Sequence, residues 1–336
     1  MAQEDLENIL KKIIVKNKNT ITLCQVSLKR DIPLILKNYQ SFKYFYKKIK
    51  IFIICPSKDL SLFKEKLDFD EFTIISEDKL LSFKKFELIF IKVSENISYK
   101  SEFKKRLSWY YQQILKISFM INFVNTKRQN LIIWDADTIL LKKINFFDQN
   151  KSINYGTFNE FHKQYYATNK KILSSDSKYF ISFLNQFIGV TYDQVSLLKK
   201  KLFKNVKIDK QELAKKLSEL ILKNIFLEHK VYNGSMFSEY ELIGQSNYLQ
   251  NSLKQKPILT LRFGLDGILN RKQISLVKLL NFKHVTYEHS HPNEKSLGML
   301  DREQTWLGLF KIILKNLTKF YLRSIKHYYL YKKHYG

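Results

Sequence analysis

Residues 131–141, LIIWDADTILL, place two carboxylates, Asp135 and Asp137, one residue apart directly after an apolar run with the character of a buried strand. Acids at the mouth of a parallel strand offer hard anionic oxygens to a divalent cation, and a bound diphosphate offers more. A cation held there neutralises the charge that builds on a departing nucleotide diphosphate as a glycosidic bond breaks. The alternating spacing lets both side chains reach one site if the chain turns at the strand end.

The residues just upstream suit the same chemistry. Arg106, Trp109, Tyr110, Gln113 and Lys116 recur at three- and four-residue spacing on a predicted helix, which aligns a cation, an aromatic plate and an amide along one side. Such a row can hold phosphate and stack a base or sugar. It equally describes a solvated helix face with Trp109 turned into the core. Further on, GTFNEFHKQYY (156–166) supplies Asn159 and His162, groups able to bind sugar hydroxyls.

The string DADTI also fits another pattern, the apolar strand followed by DxDxT of haloacid-dehalogenase phosphohydrolases. There the first aspartate is a nucleophile and the second an acid/base. That fold opens with its acidic strand, whereas here a long βαβ-rich segment comes first.

Taken together, RLSWYYQQILK (106–116), LIIWDADTILL (131–141) and FSEYELIG (237–244) resemble, in content and order, a family of bacterial GT-A-type glycosyltransferases from capsule and lipopolysaccharide gene clusters. That family has been catalogued largely as a domain of unknown function. The resemblance extends over roughly residues 20 to 300 and includes SLKRDIPLILKNYQSF (27–42) near the first strand. It implies a GT-A-like α/β nucleotide-binding fold with a central, mostly parallel sheet and a C-terminal helical extension. It also implies Mn2+ or Mg2+ at Asp135 and Asp137, a nucleotide-diphosphate or nucleotide-monophosphate sugar as donor, and a glycan or lipid-linked oligosaccharide as acceptor.

Several residues gain a role only through that resemblance. Asp31 would face the base or ribose of the donor, or else cap the helix that starts at Ile32–Pro33. Glu239 is the preferred general base toward the acceptor hydroxyl, with Glu241 as its alternate and Asp137 beside the reaction; helix capping or a salt bridge is the competing use of either glutamate. In the cluster Glu288–His289–Ser290–His291, His289 or His291 would add a late ligand to the metal or the diphosphate. Zinc fits less well, since no cysteine is nearby.

The elements that must position these groups are legible as alternation. Residues 20–27, 49–55 and 71–75 read as strands, with helices at 31–46 and 58–67 between them; 88–93 reads as a further strand and 101–124 as one long helix leading to the strand at 131–134. Alternation with short gaps argues for a mostly parallel sheet covered on both faces. Beyond Asp137, residues 195–230 read as helical and 258–263 and 283–287 as strands. Without a Pro- or Gly-rich linker, residues 1–300 form one expected domain, with a nucleotide-sugar half near 20–150 and an acceptor half at 151–300. Asn233–Gly234–Ser235 reads as a tight polar loop into the SEYE helix.

Composition bounds the rest. An apolar content of 45% with 26% charged residues excludes wholesale disorder. Cys24 and Cys55 lie inside strand-like runs and read as reduced core residues. A net charge of +27 attracts polyanions, yet no zinc-finger spacing, RNP-like segment or repeated basic helix-turn-helix pattern predicts specific nucleic-acid binding. The segment MAQEDLENILKK carries acids where an export signal carries bases, and no run approaches the ~20 apolar residues of a membrane span.

From Gln304 onward there is no Asp or Glu, while Lys311, Lys315, Lys319, Arg323 and Lys326 recur at three- and four-residue spacing beside Trp306, Phe310, Ile313, Leu317 and Tyr321. Residues 301–336 therefore read as a basic amphipathic helix. It either lies on an anionic membrane, as a peripheral protein at the cytoplasmic face of a bacterial inner membrane would, or docks on the core with its basic side solvated.

Overall fold

The computed structural model describes residues 6–12, 20–148, 151–158, 160, 162–174, 182–204, 206, 208–232, 234–248, 255–262, 265, 267–288 and 302–335. Helix α1 (Leu6–Lys12) precedes β1 (Ile21–Val26), α2 (Ile32–Phe45), β2 (Ile49–Cys55), α3 (Leu60–Lys66) and β3 (Phe72–Ser76). Three helices follow, α4 (Phe83–Val93), α5 (Lys100–Lys104) and α6 (Leu107–Lys127), and lead to β4 (Leu131–Trp134). Short strands come next: β5 (Thr138–Leu140), β6 (Phe147–Asp148), β7 (Lys151–Ser152) and β8 (Asn154–Gly156). The chain continues through α7 (Lys163–Leu173), β9 (Phe187–Val190), α8 (Tyr192–Phe203), α9 (Leu213–Glu228) and α10 (Glu239–Tyr248). It ends with β10 (Gln255–Pro257), α11 (Arg271–Leu279), β11 (His284–Thr286) and α12 (Trp306–Tyr335).

The central sheet has the order β3-β2-β1-β4-β9. Pairing is parallel from β3 to β4, and only β9 runs antiparallel. Strands buried on both faces need apolar residues at nearly every position, which is why ITLCQV and IKIFIIC are near-continuous apolar runs. Alternate residues serve opposite faces: Cys24, Phe52 and Ile54 join the core beneath α6, and Leu23, Ile51 and Ile53 join the core beneath α2 and α3. On the α6 side, Phe52 meets Phe119 and Phe123 with ring centroids 5.3 and 5.1 Å apart. Cys24 and Cys55 are buried free thiols, as their strand context predicts.

Three elements differ from the sequence reading. Residues 88–93 belong to α4, because Ser82 caps the helix by accepting from the Lys85 N–H, and Phe86 and Phe90, one turn apart, face inward. A short apolar run cannot separate strand from buried helix by periodicity alone. The helix predicted over 101–124 is broken at 105–106 into α5 and α6, with the rings of Phe103 and Tyr110 stacked 4.3 Å apart across the break. The strand expected at 258–263 is displaced to β10, parallel to β8, and among the described residues of that segment Leu261 bridges onward, to Val285.

A third core cluster joins β5, β11 and α11 to the first half of α12 through Leu141, Val277, Val285, Leu309, Ile312 and Ile313. The inner face of α12 is thus part of the fold. On α10, a Cβ at Gly244 would fall inside the ring of Phe183, so the helix approaches its neighbour only because residue 244 has no side chain. Gly244→Ala is expected to lower stability by about 1–3 kcal/mol in urea unfolding. An unchanged midpoint would mean that Phe183 has room to move aside.

Candidate active site

Strand β4 is buried along its whole length between β1 and β9, and the chain turns as soon as it emerges. The Thr138 N–H donates to the Asp135 carbonyl at 3.1 Å, closing a turn over Asp135–Ala136–Asp137–Thr138. Trp134 pins this turn from inside, donating its indole N–H to the Thr138 carbonyl at 2.8 Å. From the other side the Tyr287 N–H donates to the Asp137 carbonyl at 2.9 Å. Both acids therefore sit at the carboxyl edge of the parallel sheet, where sheets of this kind bind ligands.

Helix α6 supplies the other half of the site. Tyr110, Gln113 and Lys116 lie along one row of the helix, as the spacing predicts, but their partners are protein groups. The Tyr110 hydroxyl accepts from the Met236 N–H at 3.0 Å, and the Gln113 carbonyl oxygen accepts from the Glu239 N–H at 3.0 Å. Lys116 is 3% exposed and bridges two carboxylates, donating to Asp135 Oδ1 and, at 2.6 Å, to Glu239 Oε1. Tyr240 donates its hydroxyl to the same Asp135 Oδ1 at 2.6 Å. The row clips the start of α10 to the acidic turn. Burial opposes the charge on Lys116, but Asp135 and Glu239 outweigh it and raise its pKa. Arg106 stacks over Trp109 at 4.9 Å and donates to Ser235 Oγ, at the edge of the same contact. Between them Gly234 has φ +79°, a conformation that favours glycine.

Both glutamates of SEYE are buried and paired with protein groups. Glu239, 3% exposed, is the counter-ion of Lys116. Glu241 is fully buried, accepts from Ser182 Oγ and from the Phe183 N–H at 3.0 Å, and receives the Gln245 amide at 3.2 Å. Burial pushes the Glu241 carboxyl up to about 7. This pair ties α10 to its surroundings, Glu239 by the salt bridge that the sequence left open and Glu241 by neutral hydrogen bonds.

The acidic turn gathers further groups, among them Arg262, Glu160 and Glu288, which sequence reasoning did not assign to the site. Arg262 ion-pairs with Glu160 and with Glu288, and Glu160 in turn bonds His162 Nε2 at 2.7 Å. Burial opposes ionisation of Glu160, but Arg262 and His162 outweigh it and hold its pKa below the usual range. Glu288 is raised by its burial in spite of Arg262. Asp137 is raised well above the ordinary carboxylate range, first by burial and then by Asp135, Asp31 and Glu288. Among the described residues it has no ion-pair partner, and its neighbour Thr138 Oγ1 lies 3.3 Å away. Asp31 is near the turn; its carboxylate accepts from the Leu28 N–H at 2.8 Å and so caps a short helical turn. Arg262 carried only a weak signal, a lone cation after the apolar run ILTL, and Tyr240 carried none. At the carboxyl end of β1, Gln25 and Ser27 are buried with side-chain polar atoms that have no partner.

Among the described residues no three His, Cys, Asp or Glu side chains converge on a point able to hold a metal ion. A cation that takes only one or two protein carboxylates, with its other ligands from substrate phosphate and water, needs no such cluster, and Asp135 and Asp137 are the carboxylates at the acidic turn that could hold one. Asn159, His289 and His291 lie outside the described residues.

Two stability experiments test this wiring. Lys116→Met strands two carboxylates and is expected to cost about 3–5 kcal/mol, with Lys116→Met/Glu239→Gln recovering a large part; equal losses would show that Glu239 does not need the ammonium. Glu241 holds a proton that the unfolded chain has released, so its contribution is full below about pH 4.5 and lost as pH rises to about 7. Relative to Glu241→Gln, the wild type should therefore lose up to about 3 kcal/mol across that window, read from urea midpoints. Parallel pH profiles would place the Glu241 pKa in the ordinary range.

No curated protein matches the chain. Among solved structures, galactosyltransferase LgtC, in complex with donor and acceptor sugar analogs, aligns over 89% of this chain and 96% of its own at 7% identity, with a TM-score of 0.39. Mouse xyloside xylosyltransferase 1 in its apo form aligns over 81% of this chain and 99% of its own at 9% identity, with a TM-score of 0.41. Residues 31–258, which include the acidic turn, α6 and α10, match the family of unknown function DUF6492. The chain belongs to that family.

Proposed function

We propose that this protein is a GT-A-like, metal-assisted glycosyltransferase that moves a sugar from a nucleotide-activated donor to a glycan or lipid-linked oligosaccharide acceptor. The observation that carries this reading is Asp137, a carboxylate without an ion-pair partner among the described residues, crowded by Asp135, Asp31 and Glu288 at the edge of a parallel sheet in a protein of net charge +27. Such a concentration of negative charge favours a cation, and a cation there favours a diphosphate. When bound, Mn2+ or Mg2+ supplies Lewis acidity toward the leaving diphosphate.

The chain's own residues have separable tasks. Lys116 and Tyr240 both bond Asp135 Oδ1 and fix its carboxylate, while Oδ2 takes no part in either bond. Gln25 and Ser27, at the end of β1, and Asp31, in the short helical turn that follows, are the groups for the nucleoside. The buried, unpartnered side-chain atoms of Gln25 and Ser27 cost free energy unless a ligand pairs with them. On the other side His162, oriented by Glu160, is the group for a sugar hydroxyl. Arg262, held between two carboxylates, sets the charge of that wall. A surface polysaccharide or lipooligosaccharide as acceptor, and work at the cytoplasmic face of a bacterial inner membrane, complete the reading.

The haloacid-dehalogenase alternative needs Asp135 as a free nucleophile on the first strand of its fold. Here Lys116 and Tyr240 occupy Asp135 Oδ1, and β4 is the fourth strand along the chain. A polyanion-binding reading also conflicts with the acidic edge of the sheet, which repels phosphate in the absence of a cation.

A thermal-shift panel of nucleoside diphosphates and nucleotide sugars, with and without Mn2+, tests the proposal. One base should stabilise the protein only when Mn2+ is present, by roughly 3 kcal/mol at a hundredfold excess over Kd. Asp137→Asn should abolish that shift and reduce transfer by at least about 100-fold. Hydrolysis of simple phosphate esters with a trapped phosphoaspartate, or stabilisation by nucleic acid alone, would replace it with one of the other readings.

A further inference from the structure

The outward face of α12 is a built surface that the active site does not use. Leu309, Ile312 and Ile313 dock the helix on the core, and Asn316 donates to the Arg262 carbonyl at 3.1 Å, so its rotation is set. On the opposite side Leu307, Phe310, Leu314, Tyr321, Leu322 and Ile325 are each 54–68% exposed. The spacing of positions 307, 310, 314, 321 and 325 keeps them in one stripe, about 27 Å long at 1.5 Å per residue. Lys311, Lys315 and Lys326 are exposed along one flank of that stripe, whereas Arg323 turns inward to the Phe158 carbonyl at 3.2 Å. This division differs from the sequence reading, in which Ile313 shared the membrane face.

We propose that this face seats the protein on an anionic lipid bilayer. Five large apolar side chains in one line, with Leu322 and lysines beside them and no Asp or Glu from Gln304 onward, match the acyl and headgroup layers of such a surface. A neutral bilayer satisfies only the stripe, and a soluble polyanion satisfies only the lysines. The helix lies on the surface, because no helix among the described residues is long and apolar enough to cross a membrane. The inference rests on α12 alone and does not depend on the glycosyltransferase reading.

Sedimentation of the full chain with sucrose-loaded vesicles tests it, using phosphatidylcholine alone and phosphatidylcholine mixed with phosphatidylglycerol. The wild type should pellet with the anionic vesicles. Phe310→Ser/Leu314→Ser/Ile325→Ser and, separately, Lys311→Glu/Lys315→Glu/Lys326→Glu should each weaken binding at least about tenfold while leaving the melting temperature unchanged, since all six side chains point outward. Three results would overturn it: no wild-type binding to anionic vesicles, binding lost only in the lysine variant, or an apolar variant that binds vesicles normally and instead dissociates a dimer.

Discussion

A buried ammonium holds the candidate site together. Lys116 lies between Asp135 on the acidic turn and Glu239 at the start of α10, so one charge ties the central sheet to α6 and to the second half of the chain. Removing a lysine and two carboxylates from water is expensive, and the arrangement persists only because each partner is also hydrogen-bonded. Tyr240 bonds Asp135, and Gln113 receives the backbone of Glu239. The geometry of the first aspartate is therefore set by residues far away in sequence.

The second constraint is electrostatic. The protein is strongly basic as a whole, yet the carboxyl edge of its sheet is acidic, with Asp31, Asp135, Asp137, Glu160 and Glu288 near one another. Arg262 and Lys116 compensate part of that charge from fixed positions. Asp137 has burial and like charges acting on it together, which disfavour its ionisation until a cation is present. A structural cluster would be expected to complete its own pairing, whereas a binding site leaves charge for its ligand. The unpartnered Gln25 and Ser27 side chains at the end of β1 have the same character.

Helix α12 relates this site to a surface. Its inner face closes the third core cluster and bonds Arg262 through Asn316, and its outer face carries the exposed apolar stripe. One helix thus supports a wall of the acidic site and orients that site relative to whatever the outer face contacts.

Sequence by itself determined the parallel sheet, because strands buried on both faces must be apolar almost throughout and ITLCQV, IKIFIIC and LIIW are. It determined where the acids lie, since a strand of that kind places its last residues at the ligand-binding edge. It also determined that Tyr110, Gln113 and Lys116 share one side of α6, a matter of helical period alone. It did not determine what that side meets, and here the row turned inward to α10 while Glu239 and Glu241 became tethers. The same limit explains α4, where LIFIKV fits either period until Phe86 and Phe90 find a core. Pairings such as Lys116 with Glu239 or Arg262 with Glu160 join residues more than a hundred positions apart, and no local periodicity encodes them; only the tertiary structure decides which charges share a low-dielectric space.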